Sequence, residues 1–507
     1  MPGRLRLSGY QSCRFLYWTG IAIGHTLLCV MSAVTEPSRP RELLIELDRS
    51  SAASLRHQLE SNIRAGIRAG RLGPGTCLPS TRALAIQLGV SRGVVVDAYD
   101  QLATEGLLTT RKRRPPLVLA PRPPVRRTTE PQAPRFRCDL TPGIPDLSLF
   151  PRVEWCRAIS DAARVMPAGA LGYPDPCGEW VLREELAEYL CRTRGVAAHA
   201  DDILITQGYT QALRLVCEAL RRNGAGRIGV EDPSFDRQWD IVRSAGLTVV
   251  PIPVDADGLR VDALARAGVR AAIVTPAHQF PTGVTLSPAR RTALIEWARS
   301  NDALVIEDDY DAEFRYDRSP LSALQGAACD HVAFVGTASK MLAPALRLAW
   351  LIAPRQLRDA VVSAKTCMDA GSPVLEQHAL ATMLSHGLID RHVRTARNSY
   401  RHRRDTFLAD LTTQLPGATV SGVSAGLFVT LTFADPLDEP TLVAEAARSG
   451  LAVIPLGAFR LRDLGPPGLV LGYGTVSASS SACIVTLLRH AVHRAQAPGA
   501  LRTATVG

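Results

Sequence analysis

The stretch GTASKMLAPALRLAWL, residues 336–351, contains one of only three lysines among the 507 residues of the chain. The other two are Lys112 and Lys365, so that 55 of the 58 Lys and Arg residues are arginine. Lys340 lies between two apolar runs, VAFVGT and RLAWLIAP, whose length and composition predict buried β-strands. Because arginine supplies nearly every other positive charge, the amine at this position raises the question of what it does that a guanidinium could not.

From about residue 138 onward, short apolar runs alternate with helical segments. The runs DDILITQG, RIGVED, AAIVTPAH and ALVIEDDY predict strands, and residues 287–300 predict a helix. Such alternation predicts a mostly parallel sheet, with ligands bound at the carboxyl ends of the strands. Gly208, Asp308 and Lys340 all lie at such ends. The sequence contains no Walker A loop, and its GxGxxG match, GAGRIG at 224–229, precedes an apolar run instead of following a strand and opening a helix, so nucleotide binding has no support.

A lysine beside a buried acid and a phosphate-binding turn is the set of groups that pyridoxal phosphate requires. The amine attaches the cofactor covalently, and a carboxylate keeps the pyridine nitrogen protonated so that the ring can withdraw electrons. Helix-start amides, hydroxyl groups and an arginine bind the phosphate. The sequence therefore predicts pyridoxal 5'-phosphate as the cofactor.

Residues 138 to about 475 resemble fold type I aminotransferases, and in particular the MocR/GabR-type regulators. The motifs that carry the resemblance are DLTPGIPDLSLFP, LGYPDPCGEWVLREELAEYL, EDDYDAEFRY and GTASKMLAPALRLAWL. The resemblance implies a large α/β domain of PLP-dependent transferase fold type I, with a mostly parallel central sheet and a smaller C-terminal α+β subdomain. It implies that Lys340 carries the cofactor and that Asp308 pairs with the pyridine nitrogen.

The resemblance also implies further cofactor-binding residues. Tyr310 is implied near the ring oxygen, Phe235 stacked on the ring, and Tyr173 at the phosphate of a neighbouring subunit. The residues implied to form the phosphate site are Tyr209, Thr210, Gln211, Thr337, Ser339 and Arg347.

Two positions depart from the pattern of catalytic aminotransferases. Phe280 stands where they carry an asparagine that contacts the cofactor, and Val470 stands where they carry an arginine that binds the substrate carboxylate. The resemblance implies an effector pocket beside Arg237, and His278 is predicted either there or as a structural hydrogen-bonding residue. Arg460 or Arg237 could replace the missing arginine. Otherwise the effector lacks an α-carboxylate, or is pyridoxal phosphate itself.

Residues 54–108 predict a small helical module. Apolar residues recur every fourth position in LRHQLESNIRAGI, and Ser80 and Ser91 are predicted N-caps of two further helices joined by the turn LGVS. The following LLTTRKRRPPLVL predicts two short strands around a basic tip. This is the layout of a helix-turn-helix, whose second helix enters the major groove by its N-terminal end.

The 35 residues PGTCLPSTRALAIQLGVSRGVVVDAYDQLATEGLL resemble the winged helix-turn-helix of GntR-type regulators. The resemblance implies a small α+β domain in which Arg82 and Arg92 contact DNA, while Ser80 and Ser91 contact phosphates or cap helices. Two departures are the Gly-Val-Val-Val that follows Arg92, where the family more often has threonine, and the RKRR wing tip in place of a glycine-rich turn.

The predicted domain order is an N-terminal extension over 1–40, a winged helix-turn-helix over 41–114, a linker over 115–137 and the aminotransferase-like domain over 138–507. Residues 111–137 hold nine Lys or Arg and seven prolines, which favours an extended basic linker. The first 30 residues predict either an over-extended gene start or a weak secretory signal.

The eleven cysteines form no CxxC pair or metal-ligand spacing, which predicts reduced thiols in a cytoplasmic protein and no metal. Two functions remain open. The first is a homodimeric, head-to-tail regulator that binds promoter DNA and senses an amine, an amino acid or pyridoxal phosphate. The second is an active aminotransferase with an accessory DNA-binding head. Phe280 and Val470 favour the first, with little or no sustained transamination.

Overall fold

The structure is a computed structural model of the chain, and it describes residues 45–109, 115–119, 136–317, 321–422, 424–462 and 465–496. The chain divides into two compact units between Ala133 and Pro134, within the segment predicted to be a linker. The predicted N-terminal extension (residues 1–40) and the RKRR wing tip (residues 111–114) lie outside the described residues.

The smaller unit is a winged helix-turn-helix over the part that the structure describes. Leu59, Ile63 and Ile67, on one face of the first helix, are buried against the other two helices. The two short strands pair in antiparallel register, as the sequence predicts. The elements are α1 Leu55–Arg68, α2 Thr81–Leu88, α3 Arg92–Thr104, β1 Leu108–Thr109 and β2 Leu117–Val118.

The described part of the larger unit contains a central sheet with strand order β4-β11-β10-β9-β8-β5-β6-β7. Strands β10, β9, β8, β5 and β6 are mutually parallel, while β11 runs antiparallel to both of its neighbours. The prediction of a mostly parallel sheet is confirmed. Its strands are β4 Ile203–Thr206, β5 Arg227–Asp232, β6 Thr248–Asp255, β7 Gly258–Leu259, β8 Ala271–Val274, β9 Leu304–Asp309, β10 Val332–Thr337 and β11 Ala349–Ile352.

Helices cover both faces of this sheet. Leu204 packs with α6 and α11 on one face, whereas its neighbours Ile203 and Ile205 pack with α5 and α12 on the other. Burial on both faces explains why these strands are continuous apolar runs. The helices are α4 Arg152–Val165, α5 Trp180–Arg194, α6 Tyr209–Arg222, α7 Asp236–Ser244, α8 Val261–Arg266, α9 Pro288–Ser300, α10 Ala338–Met341, α11 Arg355–Asp369 and α12 Val374–Ser385.

A smaller C-terminal α+β region completes this unit. Its strands have the order β12-β13-β16-β15, and helices α13 to α15 pack against them around a separate apolar core. A short parallel pair joins β3 and β14. The elements are β3 Cys138–Asp139, α13 Leu388–Gln414, β12 Ala418–Ser421, β13 Phe428–Phe433, α14 Glu439–Arg448, β14 Leu451–Ala452, β15 Ile454–Pro455, β16 Gly468–Gly472 and α15 Ala478–Gln496.

The topology brings polar residues to one edge of the central sheet. Glu231, Asp308 and Thr337 stand at or beside the carboxyl ends of β5, β9 and β10, and Gly208 and Thr275 follow β4 and β8. Because the carboxyl ends of parallel strands meet at one edge, these residues surround a common space. Within the described residues, no helix is both long enough and apolar enough to span a membrane.

Candidate functional site

A cavity of about 280 Å³ lies at the carboxyl ends of the strands of the larger unit. It brings together most of the residues that the sequence predicts to bind the cofactor or an effector. Those that line it are Lys340, Asp308, Tyr310, Phe235, Arg237, Tyr209, Thr210, Thr337, Ser339 and Arg347.

Lys340 lies on α10, a four-residue helix that follows directly from β10. Thr337 caps this helix, because its hydroxyl accepts a hydrogen bond from the Ser339 amide at 3.1 Å. The Lys340 amine donates to the carbonyl oxygen of Gly143. Burial lowers the pKa of Lys340, while nearby carboxylates act in the opposite direction. A lowered pKa increases the fraction of neutral amine, which is the form that attacks a carbonyl carbon.

Asp308 faces the cavity from β9, with only 8% of its surface exposed. Burial raises the pKa of Asp308 well above its usual range, and the charges of Asp309 and Asp311 act in the same direction. A hydrogen bond from Tyr209 and the charge of Lys340 oppose this rise without cancelling it. A cation placed against such a buried carboxyl group would stabilise its ionised form.

The start of α6 forms an anion-binding part of the cavity wall. Gly208 precedes the helix with a φ of 87°, a conformation that residues with side chains rarely adopt. A Cβ atom at Gly208 would overlap with the Arg347 guanidinium, which occupies that space and donates to the Gln207 carbonyl at 2.8 Å. The first amides of a helix have no acceptor within it. This turn therefore presents amides, a helix dipole and a guanidinium to an anion.

Phe235 and Phe280 form an aromatic wall, with ring centroids 6.2 Å apart and planes at 87°. Phe280 also contacts Phe428 and Phe459, with centroid distances of 5.1 and 4.9 Å. Val470 is completely buried and belongs to the same apolar cluster. Apolar packing therefore fills the position at which the resemblance implies a carboxylate-binding arginine.

Tyr310 lines the cavity, whereas His278 lies behind it. The Tyr310 hydroxyl donates to the His278 carbonyl at 2.8 Å, and burial raises the pKa of Tyr310 well above its usual range. His278 Nδ1 is 2.8 Å from Asp311 Oδ2, and its ring stacks on Phe428 with a centroid distance of 4.7 Å. His278 is buried and does not line the cavity, while Arg237, the other predicted effector residue, does.

Three other side chains named from the sequence lie away from this cavity. Gln211 belongs to the first turn of α6, but its amide donates to Asp369 Oδ2 at 2.6 Å. Tyr173 is 99% exposed on the surface of the larger unit. Arg460 donates to the Pro466 carbonyl at 2.7 Å and does not line the cavity.

Glu231 lines the cavity, although no motif in the sequence singled it out. Its Oε2 accepts hydrogen bonds from the Thr275 amide and hydroxyl, at 3.2 and 2.6 Å, and from Gln279 Nε2 at 3.2 Å. Burial raises the pKa of Glu231 to about 7. Its place at the carboxyl end of β5, matching that of Asp308 on β9, is the signal that could have identified it.

The smaller unit carries a separate candidate site. Arg82 and Arg92, at the starts of α2 and α3, are exposed and border a shallow depression with Ile86, which is 77% exposed. Ser80 and Ser91 are the N-caps, and each hydroxyl accepts a hydrogen bond from the amide three residues later. Two exposed guanidinium groups at helix starts form a surface suited to phosphates and guanine edges.

The cavity residues fit pyridoxal phosphate on grounds of their own chemistry. Lys340 supplies a buried amine of lowered pKa, and Asp308 is a buried carboxyl group suited to a protonated ring nitrogen. Because Gly208 has no side chain, the Arg347 guanidinium fits beside the start of α6, where it and the helix amides form an anion site. Phe235 offers an apolar face to an aromatic ring. In the described residues, no group of three or more His, Cys, Asp or Glu side chains could hold a metal ion.

Comparison with known proteins identifies both units. Residues 144–482 match the family "Aminotransferase class I and II", and residues 55–118 match "Bacterial regulatory proteins, gntR family". Among solved structures, the chain is similar to the kynurenine aminotransferase of Pyrococcus horikoshii, solved in complex with PMP. The identity is 25% and the TM-score 0.66, covering 72% of this chain and 92% of that one.

Two similar relatives share the whole two-domain arrangement. The HTH-type pyridoxine biosynthesis transcriptional regulator PdxR of Corynebacterium glutamicum is 34% identical, covering 86% of this chain and 95% of that protein. The probable rhizopine catabolism regulatory protein MocR of Rhizobium meliloti is 30% identical, covering 90% of this chain and 98% of that protein. The chain therefore belongs to the MocR-type family of HTH transcriptional regulators, in which a gntR-family DNA-binding domain precedes an aminotransferase domain that uses pyridoxal phosphate.

Proposed function

We propose that the large domain of this regulator senses an amine or amino-acid effector, or the cofactor itself, and that the effector changes the affinity of the winged helix for promoter DNA. The observation that carries the proposal is the combination of Lys340 and Asp308 in one cavity with an apolar cluster at Val470. The first two residues suit an amine-reactive cofactor. The cluster offers no charge that would hold a substrate carboxylate for sustained turnover.

Each cavity residue has a proposed part. When bound, pyridoxal phosphate supplies an aldehyde that reacts with amines and a ring that withdraws electrons. Lys340 would hold the cofactor covalently, and Asp308 would keep a proton on the pyridine nitrogen. Tyr310 and Phe235 would contact the ring. The proposed phosphate site consists of Tyr209, Thr210, Thr337, Ser339 and Arg347, with Gln211 acting indirectly.

The effector side of the cavity differs from that of a transaminase. Arg237 lines the cavity and is the proposed contact for an acidic group of the effector. We assign His278 a supporting role, because its ring is paired with Asp311 behind Tyr310. Transamination requires a firmly oriented substrate, and a misplacement of about 1 Å can reduce the rate roughly a hundredfold. A binding response with little turnover is therefore the expected behaviour.

The identity of the effector separates two forms of the proposal. The relative PdxR is named for pyridoxine biosynthesis, which supports pyridoxal phosphate as the effector. The relative MocR is named for rhizopine catabolism, which supports a different small molecule. Both forms require the effector to bind two arrangements of the protein with different affinity, typically by about 1–3 kcal/mol.

DNA recognition is assigned to the smaller unit. Arg82 and Arg92 are the proposed base or phosphate contacts, and Ser80 and Ser91 hold the two helix starts that carry these arginines. Because Leu117–Val118 form strand β2 of the smaller unit, the segment proposed to link it to the large domain is residues 120–137.

We further propose a head-to-tail homodimer in which Tyr173 reaches the phosphate site of the partner. The exposure of this side chain supports the proposal, because an aromatic residue that is 99% exposed contributes nothing to the packing of its own unit. Exposed apolar side chains nearby in sequence add support, since such surfaces often mark interfaces. They are Leu147, Val153, Val165, Leu171 and Trp180. A monomeric mass at micromolar concentration, with the cofactor still bound, would refute the dimer.

The decisive experiment measures DNA affinity and chemistry on the same protein. The full chain, loaded with pyridoxal phosphate, is given amino acids, amines and a 2-oxo acid, while 2-oxo acid exchange and binding to its own promoter are followed. We expect an altered absorption spectrum and a DNA affinity changed by about fivefold to 150-fold, without sustained turnover. Lys340→Ala is the control and should lose the response. Turnover at ordinary enzyme rates, with DNA binding unaffected by every ligand, would favour the active aminotransferase instead.

A further inference from the structure

Lys365, on α11, is completely buried. Its amine donates to both oxygens of Asp369, at 2.9 and 2.8 Å, and to the Ser372 hydroxyl at 3.1 Å. All three ammonium hydrogens therefore have acceptors, which is the condition under which a buried charge is tolerated. A compact ammonium with three tetrahedral donors matches these three acceptors, whereas a planar guanidinium would not.

Asp369 connects this amine to the start of α6. Its Oδ2 accepts hydrogen bonds from Gln211 Nε2 at 2.6 Å and from Gln207 Nε2 at 3.3 Å. Burial acts to raise the pKa of Asp369, but hydrogen bonds from Lys365 and Gln211 outweigh it and lower that pKa. The carboxylate therefore remains ionised and holds both glutamine side chains.

The same two glutamines determine the shape of the turn before α6. The backbone amide of Gln207 donates to Gln211 Oε1 at 2.7 Å, and the backbone carbonyl of Gln207 accepts from Arg347 Nη2 at 2.8 Å. Gly208 lies between them and leaves the space that the Arg347 guanidinium occupies. A continuous series of hydrogen bonds thus runs from Lys365, which does not line the cavity, to the guanidinium that does.

We propose that Lys365 and Asp369 are positioning residues for binding the phosphate of the cofactor, acting through Gln211 and Gln207. The inference rests on the function proposed above for the cavity. A positioning role can be distinguished from a purely structural contact between α11 and α6 by measuring ligand affinity. A positioning role affects ligands that carry the phosphate, whereas general loss of packing affects ligands with and without it.

The test compares pyridoxal phosphate with pyridoxal, which lacks the phosphate, on the full chain freed of cofactor. Lys365→Met and Gln211→Leu should weaken pyridoxal phosphate binding about tenfold to a hundredfold, as expected for loss of a hydrogen bond to a charged group. Their affinity for pyridoxal should remain close to that of the unaltered chain. Arg214→Met is the matched control, because it breaks an ion pair with Glu218 on the same helix away from the cavity.

Gln211→Leu keeps the Lys365–Asp369 pair, so it decides the question if Lys365→Met does not fold. Equal losses of affinity for both ligands would overturn the proposal. The proposal would also be overturned if a folded Gln211→Leu variant kept the ratio of pyridoxal phosphate affinity to pyridoxal affinity of the unaltered chain. If the unaltered chain bound pyridoxal phosphate no more tightly than pyridoxal, the proposed phosphate site would be refuted, and this inference with it. Absence of binding to either ligand would refute the proposed cofactor cavity.

Discussion

Replacing Glu231 with glutamine should stabilise the large domain relative to the unaltered chain. The gain in the free energy of unfolding should be larger at high pH than at low pH. The pKa of Glu231 is about 7 in the folded protein against an ordinary value of 4.5. Because its pKa is higher in the folded than in the unfolded state, Glu231 contributes its full stability below pH 4.5, where it is protonated in both states. That contribution is lost as the pH rises from 4.5 towards 7. A difference of about 2.5 between the two pKa values changes the free energy of unfolding by about 3 kcal/mol at most.

Glutamine suits this position because the three donors around Glu231 converge on Oε2. The amide oxygen can accept those hydrogen bonds, and the amide nitrogen then takes the place of Oε1. Glutamine does not ionise, so the loss of stability between pH 4.5 and 7 should disappear. We expect the free energies of unfolding to differ by less than about 1 kcal/mol at pH 5 and by about 2–3 kcal/mol at pH 8, with the variant more stable.

The assay is urea unfolding of the chain freed of cofactor, since a bound ligand would itself shift the stability. Tryptophan fluorescence reports on the large domain, because five of the six tryptophans lie between residues 155 and 350. The pKa values of Glu307 and Glu313 are also raised to about 7, but they affect both proteins equally and cancel in the difference. Glu296→Gln, at an exposed position on α9, is the control. An equal difference in stability at pH 5 and pH 8 would refute the reasoning.

Three further substitutions test other parts of the molecule. Lys340→Ala should abolish borohydride-fixed cofactor while the protein remains folded, and peptide mass spectrometry showing the cofactor on Lys365 would disprove the assignment. Arg92→Ala should weaken operator binding by about 1–3 kcal/mol and reduce the preference for the operator over unrelated DNA, measured by anisotropy at fixed salt. An equal loss on all sequences would instead assign this residue to a phosphate. Gly426→Ala should destabilise the large domain by at least about 1–2 kcal/mol in urea, because its φ is 70° and the added Cβ would overlap with the His278 ring.

Much of the cavity could be predicted because its signals are local. Asp308 and Lys340 each stand at the end of an apolar run, and the topology of a parallel sheet brings such ends together. Gly208 could be placed for the same reason, as it lies between an apolar run and a helical pattern. In the smaller unit, Ser80 and Ser91 precede helical patterns and cap those helices in the structure.

The orientation of individual side chains could not be predicted in the same way. Gln211 lies in the first turn of α6, but its side chain bonds Asp369, which is 158 residues away in the chain. His278 directs its ring to Asp311 behind the cavity wall because a buried imidazole needs a polar partner. Glu231 stands at the end of an apolar run, as Asp308 does, but its hydrogen-bond partners Thr275 and Gln279 lie more than 40 positions away in the chain. Long-range contacts decide these cases, and no local pattern encodes them.

The apolar cluster around Val470 also limits what a single substitution at this position can achieve. An arginine introduced at position 470 alone would bury a charge among Phe280, Phe428 and Phe459, at a cost of several kcal/mol. The total stability of a domain is only roughly 5–15 kcal/mol. A carboxylate-binding arginine at this position therefore requires several coordinated substitutions, because the first one alone consumes a large part of the stability of the domain.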